Sequence, residues 1–324
     1  MQTNLDIKNG ETGMKIISLF SGAGGLDLGL VRAGHAIVWA NDNDHDAVET
    51  YRHNIGAHIV EADIATIDMA TIPDADVVIG GFPCQGFSTA NQHRCAGDAR
   101  NQLYKFFLSA IHHKQPEFFI AENVKGILSL EKGNVLEMII QDFKQEGYLL
   151  DTHLINMADY GVPQMRKRVI FIGQRKDVAP QMLFRIPPPT HSKNGKPKPW
   201  VSIQEAIHHF PDPDKPNAIL NHTYSAYKLA YRNYTGHRPT SPDKPSPTIL
   251  ARGNGGGGVC AIPHYNGKRR LTIRESATLQ TFPESFFFHG AMNACYRQIG
   301  NAVPVQFGEI LGRELMRLKR ELAQ

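Results

Sequence analysis

The first half of the chain alternates short apolar runs with longer segments in which apolar residues recur at helical spacing. The apolar runs are typical of buried parallel strands and lie at residues 15–20, 36–40, 58–61, 77–80 and 118–121. Helical spacing is found at residues 26–32, 102–112 and 135–143. Two last runs, 149–156 and 168–173, are separated by a polar link too short for a helical crossover. The pattern therefore predicts an α/β fold whose parallel sheet ends in an antiparallel hairpin at its edge.

The second half is less regular. Residues 176–270 are rich in Pro, Lys and His, and Pro187-Pro188-Pro189 marks their beginning. Helical spacing returns at residues 273–282 and from Asn301 to Leu318. We therefore expect a flexible leader, an α/β domain, an irregular second domain, a hinge and return segment, and a C-terminal helix, at residues 1–13, 14–175, 176–270, 271–300 and 301–324.

The composition of the 324 residues narrows the class of protein. Hydrophobic residues make up 41%, and no apolar run approaches the ~20 residues of a membrane span. No basic-then-apolar leader opens the sequence, so we expect a cytoplasmic location. The cysteines form no C-x-x-C pair, which argues against a disulfide framework or a metal site; they are Cys84, Cys95, Cys260 and Cys295.

Charge is distributed unevenly along the chain. Between Gly161 and Arg270 there are 18 Lys and Arg against 5 Asp and Glu, whereas the remainder holds 17 against 26, for a net charge of +4. A basic half joined to an acidic half favours a surface that binds a polyanion.

A glycine-rich turn, residues 21–25, follows the first predicted strand. Its glycines let the backbone approach a ligand, and the helix that follows favours a carboxylate at its N-terminus. Asp27 stands where a dinucleotide-binding pattern would have its third glycine, which weakens that interpretation. Asp42 and Asp63 end the next two strands, where carboxylates could bind ribose hydroxyls and an adenine amino group. Phe20 could stack on the adenine.

A cysteine stands just beyond the fourth predicted strand, in Gly80-Gly81-Phe82-Pro83-Cys84-Gln85-Gly86-Phe87-Ser88. Ligands in open α/β sheets bind outside the carboxyl ends of the strands, so this position suits a nucleophile. Taken alone, such a cysteine is more often an incidental thiol.

Six motifs in a fixed order change that balance. They are Phe20-Ser21-Gly22-Ala23-Gly24-Gly25, Pro83-Cys84-Gln85, Glu122-Asn123-Val124, Gln164-Met165-Arg166-Lys167-Arg168, Arg274-Glu275 with Gln280-Thr281-Phe282-Pro283, and Gly300-Asn301-Ala302-Val303-Pro304. The chain thereby resembles the DNA (cytosine-5) methyltransferases of bacterial restriction–modification systems. The resemblance covers all but the leader and the variable basic region. Phe82 and Asp42 depart from the family pattern, where a second proline and a glutamate are commoner; neither is expected to change the chemistry.

The resemblance implies a Rossmann-like sheet of S-adenosylmethionine-dependent methyltransferases, with S-adenosylhomocysteine as product. Its implied cofactor residues are Phe20, Gly22, Ala23, Gly24, Gly25, Asp42, Asp63, Ile64, Pro83, Leu103, Asn301, Ala302 and Val303. It implies that Cys84 adds to carbon 6 of cytosine, that Glu122 protonates or hydrogen-bonds ring nitrogen 3, and that Arg166 and Arg168 order the site, one of them holding the cytosine carbonyl.

Double-stranded DNA is the implied partner, with the target cytosine flipped into a pocket. Residues 85–100 are expected to close on the base, residues 176–270 to read the sequence, and the C-terminal helix to complete the first domain. The implied DNA contacts are Gln85, Ser88, Arg94, Arg100, Gln164, Arg252, Gly255 and Gly256. A restriction endonuclease could act on the same site without direct contact, and the enzyme is expected to be a monomer.

Two alternatives from other classes remain open. One is a tRNA cytosine-5 methyltransferase on the same scaffold, although the broad basic segment favours DNA. The other is a catalytically silent DNA-binding relative, against which intact Cys84 and Glu122 argue. A nicotinamide dehydrogenase is a distant third.

Overall fold

The computed structural model describes residues 13–82, 99–226, 240–251 and 262–324, with the side chains of 99–102 excepted. A seven-stranded sheet forms its centre, in the order β3-β2-β1-β4-β5-β7-β6. The strands are β1 (Lys15–Leu19), β2 (Ala36–Asp42), β3 (Ile59–Glu61), β4 (Val77–Gly80), β5 (Phe118–Val124), β6 (Tyr148–Asn156) and β7 (Lys167–Arg175).

The first five strands are parallel, and β7 runs antiparallel to both of its neighbours, β5 and β6. This confirms the predicted α/β fold and the antiparallel hairpin at the sheet edge. The central strand β4 is buried at every position, as its uninterrupted apolar run predicts for a strand covered on both faces.

Eight α-helices accompany the sheet in the described residues. They are α1 (Gly25–Arg32), α2 (His45–Asn54), α3 (Ala99–Lys114), α4 (Asn134–Gln145), α5 (Ile203–Ile207), α6 (Ile273–Leu279), α7 (Met292–Asn301) and α8 (Val305–Leu322). The sequence analysis did not predict α2, whose composition is mostly polar. Asp44 caps this helix by accepting a hydrogen bond from the amide of Ala47 at 3.4 Å.

Each face of the sheet has its own hydrophobic core. On one face, α1 and α8 pack together, and a Cβ atom on Gly29 would lie only 2.4 Å from the carbonyl oxygen of Val305. On the other face, α3 and α4 contribute an aromatic cluster that includes Phe107 and Phe143. Both layers bury the sheet, as a parallel arrangement requires.

The C-terminal part differs from its prediction. Asn301 does not begin the last helix but ends α7, and α8 begins only after Pro304. Ala302 is extended, with φ of −64° and ψ of 145°, and so interrupts the helical backbone between α7 and α8. The predicted helix over 273–282 ends at Leu279, because Thr281 has a positive φ of 62°.

Residues 176–270 share a core with the segment that follows them. Ile203, Ile249 and Ile262 lie in one cluster with residues of α6 and α7 and with Leu28 of α1. The predicted boundary at residue 270 is therefore not a packing boundary. No helix among the described residues is long and apolar enough to cross a membrane.

Candidate active site

The candidate site lies at the carboxyl edge of the parallel strands. Gly80, the last residue of β4, pairs with Ala121 of β5, so Gly81 and Glu122 come side by side just beyond this pair. The turn after β1 and the end of β2 reach the same edge, since Leu19 pairs with Asn41. The topology thus brings together segments that are up to about 100 residues apart in the sequence.

The predicted cofactor loop connects β1 to α1. Gly22 and Gly24 have φ angles of 55° and 79°, in the left-handed region that favours glycine. A Cβ atom added to Gly22 would meet no atom within 4 Å, so open space lies beside the loop. Gly24 supplies no side-chain cap to α1, which leaves amide groups of the first helical turn available to an anion. Phe20 also has a positive φ, of 55°, and packs its half-buried ring on the core.

Asp42 holds this loop in place. Its Oδ2 accepts a hydrogen bond from the amide of Gly22 at 2.8 Å, and its Oδ1 accepts one from the amide of Asp44 at 2.9 Å. Burial raises the pKa of the carboxyl group, although these two amides oppose the rise. Asp44 also forms an ion pair with Arg297 of α7 at 2.7 Å. The carboxylate therefore orders the loop, and its predicted contact with ribose remains a prediction.

The tip of β3 carries the next predicted residues. Asp63 is exposed and caps a short 3-10 turn, accepting a hydrogen bond from the amide of Ala65 at 3.0 Å. Ile64 is 3% exposed and packs into the core beside α3. Leu103 lies within α3 rather than at its start, and its half-buried side chain packs in the same cluster.

The return segment between α7 and α8 packs on the cofactor loop. A Cβ atom on Gly25 would lie 2.4 Å from the carbonyl oxygen of Val303 and 3.1 Å from the Cβ atom of Ala302. Ala23 is also buried, at 1% exposure, whereas Asn301 is exposed. The structure thus brings Ala302 and Val303 to the first loop, and only glycine fits at position 25. The predicted contact of Ala302 and Val303 with the cofactor stays a prediction.

A buried polar network lies beneath the loop, and the sequence analysis missed it. Asp27, 1% exposed, accepts hydrogen bonds from the hydroxyls of Ser18 at 3.0 Å and Tyr51 at 2.8 Å. Ser21 of the loop donates to the hydroxyl of Ser18 at 2.9 Å, and His58 contacts the Tyr51 hydroxyl at 3.1 Å. Burial raises the pKa of Asp27 to about 6. In the sequence, the signal for this network was Asp27, an acidic residue within the largely apolar start of a predicted helix.

Glu122 and Arg168 meet at the carboxyl edge of the parallel strands. Oε1 of Glu122 and Nε of Arg168 are 2.7 Å apart, and the side chains are 11% and 12% exposed. The N–H bond is not aligned with this oxygen, so the contact is an ion pair and the buried Oε1 accepts no hydrogen bond within the described residues. A Cβ atom on Gly81 would lie 3.6 Å from Oε2, which leaves the carboxylate beside the entry to the Cys84 segment.

Arg166 is fully buried and binds backbone. Its Nη1 donates to the carbonyl of Ile249 at 3.1 Å, and its Nη2 donates to the carbonyl of Gly300 at 3.0 Å. Burial, with a smaller contribution from Arg168, lowers the pKa of the guanidinium to about 9, which keeps it charged at neutral pH. It joins β7 to two distant segments, and its Nε has no hydrogen-bond partner among the described residues.

The structure contradicts the predicted DNA contact of Gln164. The side chain is completely buried, and its Nε2 donates to Oε1 of Gln280 at 3.0 Å. Its Oε1 accepts a hydrogen bond from the amide of Ile249 at 2.9 Å. Both ends of the amide are used inside the protein, because Gln164 lies beside Ser246 in an isolated bridge. Gln164 therefore joins this segment to Ile249 and Gln280 and does not face DNA.

Asn123 is a further site residue that the sequence analysis did not single out. Its side-chain amide donates to the carbonyl of Phe82 at 3.0 Å and so fixes the backbone immediately before Pro83. Phe82 itself is 2% exposed and packs against Tyr104 and Phe107. A polar residue inside a buried strand was the signal for Asn123.

Several predicted residues lie outside the described residues. They are Pro83, Cys84, Gln85, Ser88, Arg94, Arg252, Gly255 and Gly256, together with the side chain of Arg100.

Comparisons with known proteins identify the family of the chain. Residues 14–317 match the family model of the C-5 cytosine-specific DNA methylases. The chain is 41% identical over 317 residues to the type II methyltransferase M.NgoFVII of Neisseria gonorrhoeae, covering 90% of this chain and 83% of the relative. It is 35% identical to the type II methyltransferase M.FnuDI of Fusobacterium nucleatum, covering 96% and 98%.

Solved structures agree on the fold. A DNA modification methyltransferase encoded within an E. coli prophage has a TM-score of 0.72 at 25% identity, covering 95% of this chain and 99% of that one. DNMT2 of Spodoptera frugiperda has a TM-score of 0.68 at 19% identity, covering 93% and 99%, and supports the fold alone. Since the family model spans most of the chain and relatives match it at 41% and 35% identity, the chain belongs to the C-5 cytosine-specific DNA methylases and is a DNA (cytosine-5) methyltransferase.

Proposed function

We propose that this enzyme methylates carbon 5 of a cytosine flipped out of double-stranded DNA, within a short specific sequence. Carbon 5 of an intact cytosine is a poor nucleophile, so a thiolate must first add to carbon 6. Cys84, three residues after Gly81, is the proposed nucleophile. The observation that carries the proposal is the buried Glu122 carboxylate beside Gly81, whose Oε1 accepts no hydrogen bond from any of the described residues.

In the proposed reaction, the sulfur of Cys84 bonds to carbon 6 and the electron pair of the C5–C6 double bond moves to carbon 5. Carbon 5 would take the methyl group that S-adenosylmethionine supplies, and S-adenosylhomocysteine would leave with the electron pair of the broken sulfur–methyl bond. Loss of the carbon 5 proton to water and expulsion of the Cys84 thiolate from carbon 6 would then restore the C5–C6 double bond. Glu122 would share a proton with ring nitrogen 3, which makes addition at carbon 6 easier. Arg168 would orient Glu122 through their ion pair and could donate to the cytosine carbonyl.

Cys295 is the one cysteine of the described residues, and its environment does not suit a nucleophile. It is buried, its sulfur lies 3.5 Å from the carbonyl oxygen of Gly290, and burial raises its pKa to about 11. Cys295 is therefore a neutral thiol at physiological pH and offers no reactive thiolate.

The cofactor loop fits S-adenosylmethionine, which supplies an electrophilic methyl group when bound. The family implies this cofactor, and the space beside Gly22, the uncapped start of α1 and the carboxylate of Asp42 suit its parts. We propose that the α1 amides hold its carboxylate and Asp42 its ribose. Asp63 would hold the adenine amino group, and Ile64 and Phe20 would contact the ring.

Residues 176–270 are proposed to recognise the target sequence. Their stretch 246–249 is fixed to the start of β7, because the amide of Met165 donates to the carbonyl of Ser246 at 2.8 Å and the hydroxyl of Thr248 donates to the carbonyl of Met165 at 2.5 Å. The proposed base-reading residues, Arg252 and Gly255-Gly256, follow this anchored stretch directly in the sequence. Flipping is required because carbon 6 is hidden in the base stack.

The test is Cys84→Ser with Cys295→Ser as its matched control. We expect Cys84→Ser to abolish methyl transfer and to retain the affinity for S-adenosylmethionine by calorimetry, because a serine hydroxyl supplies no thiolate. Wild type and Cys295→Ser should both form a denaturation-resistant adduct with duplex DNA that contains 5-fluorocytosine, since fluorine blocks the final elimination.

Full activity of Cys84→Ser would overturn the covalent mechanism. Bisulfite sequencing of DNA from cells that express the wild type gives the target sequence. Transfer to a tRNA transcript in preference to duplex DNA would overturn the choice of substrate.

A further inference from the structure

A loop of residues 190–200 carries three exposed lysines and takes no part in the site described above. The side chains of Lys193, Lys196 and Lys198 are all exposed. From residue 178 to residue 204 the sequence contains no Asp or Glu. Among the described residues, none of the three ammonium groups lies within ion-pair distance of a carboxylate, so their charge is directed to solvent.

The loop is nevertheless well ordered by its own hydrogen bonds. The amide of Ser192 donates to the carbonyl of Lys198 at 2.8 Å, and the hydroxyl of Ser192 donates to the carbonyl of Lys196 at 2.7 Å. The amide of Lys196 donates back to that hydroxyl at 3.1 Å. These bonds fold the loop back on itself and hold the three lysines on one short, closed turn. Little conformational entropy of the backbone would therefore be lost when the loop binds an anion.

Asp159 anchors the loop at the carboxyl edge of the parallel strands. Its backbone carbonyl accepts hydrogen bonds from the amides of Thr190 at 3.0 Å and His191 at 2.9 Å, and its Oδ1 accepts one from the indole of Trp200 at 2.8 Å. Asp159 follows the end of β6, whose last residue pairs with Lys167, the residue before Arg168. The lysines thus lie on the side of the molecule that carries the Glu122–Arg168 pair.

We propose that this loop binds the phosphates of double-stranded DNA outside the recognition sequence. The inference rests on the proposed function, because it assumes that duplex DNA lies along the carboxyl edge of the parallel strands. Lysines on a backbone-anchored loop attract phosphates without reading bases, so the loop adds affinity and position rather than sequence choice. Rigid support by Asp159 and Trp200 fixes where the phosphate backbone can run relative to Arg168.

The test neutralises the loop in the full-length enzyme. In Lys193→Gln/Lys196→Gln/Lys198→Gln, the logarithmic slope of affinity against salt, measured by anisotropy on a random-sequence 30-bp duplex, should fall by about 2 to 3, at about 0.9 for each phosphate contact. The methylation pattern of a plasmid, read by bisulfite sequencing, should stay at the same sequence while the rate at low enzyme concentration decreases.

A charge-matched variant provides the control. Lys15, Lys144 and Lys176 are exposed at the opposite edge of the sheet, at the start of β1, at the end of α4 and after β7. Replacing these three lysines with Gln should leave the salt slope unchanged. Equal slopes for the two triple variants, or a wild-type slope for the loop variant, would overturn the inference.

The same experiment distinguishes a failure of the proposed function from a failure of the role proposed for the loop. If the wild type leaves plasmid cytosines unmethylated, the proposed function fails. If the wild type methylates the plasmid and the loop variant binds the random duplex with the wild-type slope, only the role of the loop fails.

Discussion

The central sheet and the irregular part of the molecule, meaning the described residues 203–226, 240–251 and 262–290, pair their backbone amides and carbonyls in different ways. In the sheet, strand pairing uses the amides and carbonyls, and side chains are left to pack the cores or to act at the edge. In the irregular part, buried side chains bind the backbone in place of strand neighbours. Because buried carbonyls without partners are costly, single residues carry more of the stability there.

Arg274 shows this dependence most clearly. It is completely buried, and its guanidinium donates to the carbonyls of Leu220 at 3.0 Å, Pro283 at 2.9 Å and Phe286. Burial lowers its pKa to about 10, which still leaves it charged. The next residue, Glu275, accepts two hydrogen bonds from Arg269, each at 2.7 Å.

Arg274→Met should therefore be the most damaging of the changes considered. It leaves three carbonyls without their donor, and we expect a loss of about 3 kcal/mol or more in the free energy of unfolding. The measurement is urea unfolding of the full chain. Arg313→Met is the control, because Arg313 is 74% exposed and its one ion pair within the described residues is with Glu309 on the same helix, a pair worth about 0.3–0.5 kcal/mol. Equal free energies of unfolding for the two variants would show that the irregular part does not depend on buried side chains for its stability.

Glu122→Gln changes a residue of the sheet, and we expect it to slow methyl transfer with little loss in the free energy of unfolding. The amide keeps the shape of Glu122 but cannot share its proton, so the single-turnover rate of methyl transfer should fall roughly 10²-fold, equivalent to about 2.7 kcal/mol. Glu117→Gln, just before the start of the same strand at the opposite edge of the sheet, should retain the rate. A wild-type rate for Glu122→Gln would reduce Glu122 to a partner of Arg168.

Asp27→Asn should have the smallest effect per unit of pH, at most about 1.4 kcal/mol, visible as a change in the pH dependence of the free energy of unfolding. The pKa of Asp27 in the folded protein, about 6, lies above its ordinary value of 3.8, so the folded state binds a proton more tightly than the unfolded chain. This group therefore stabilises the fold below about pH 4, and the contribution is lost as the pH rises through about 6.

The stability of the wild type minus that of Asp27→Asn should accordingly fall between pH 4 and pH 6. The slope cannot exceed about 1.4 kcal/mol per pH unit, the value for one proton. Urea unfolding at several pH values gives the difference directly. A difference that rises with pH would mean that Ser18 and Tyr51 stabilise the charged carboxylate more than burial disfavours it.

The sequence by itself determined the strands and their common edge. Apolar runs are local signals, so β1, β2, β4 and β5 appear close to their predicted bounds, and the motif order identified the family. The sequence also indicated that Glu122 ends a strand next to the one before Cys84, because parallel strands end at one edge.

Only the tertiary structure decided which polar side chains face substrate and which hold the protein together. Gln164 and Arg166 belong to one motif with Arg168, yet the first two bind Ile249 and Gly300, which lie 83 to 134 residues away in sequence. The sequence likewise did not reveal the hydrogen-bond partners of Asp27 or the break in the helix between Asn301 and α8. Periodicity reports whether a residue is buried, whereas a hydrogen-bond partner is chosen by packing between distant segments, which leaves no local pattern in the sequence.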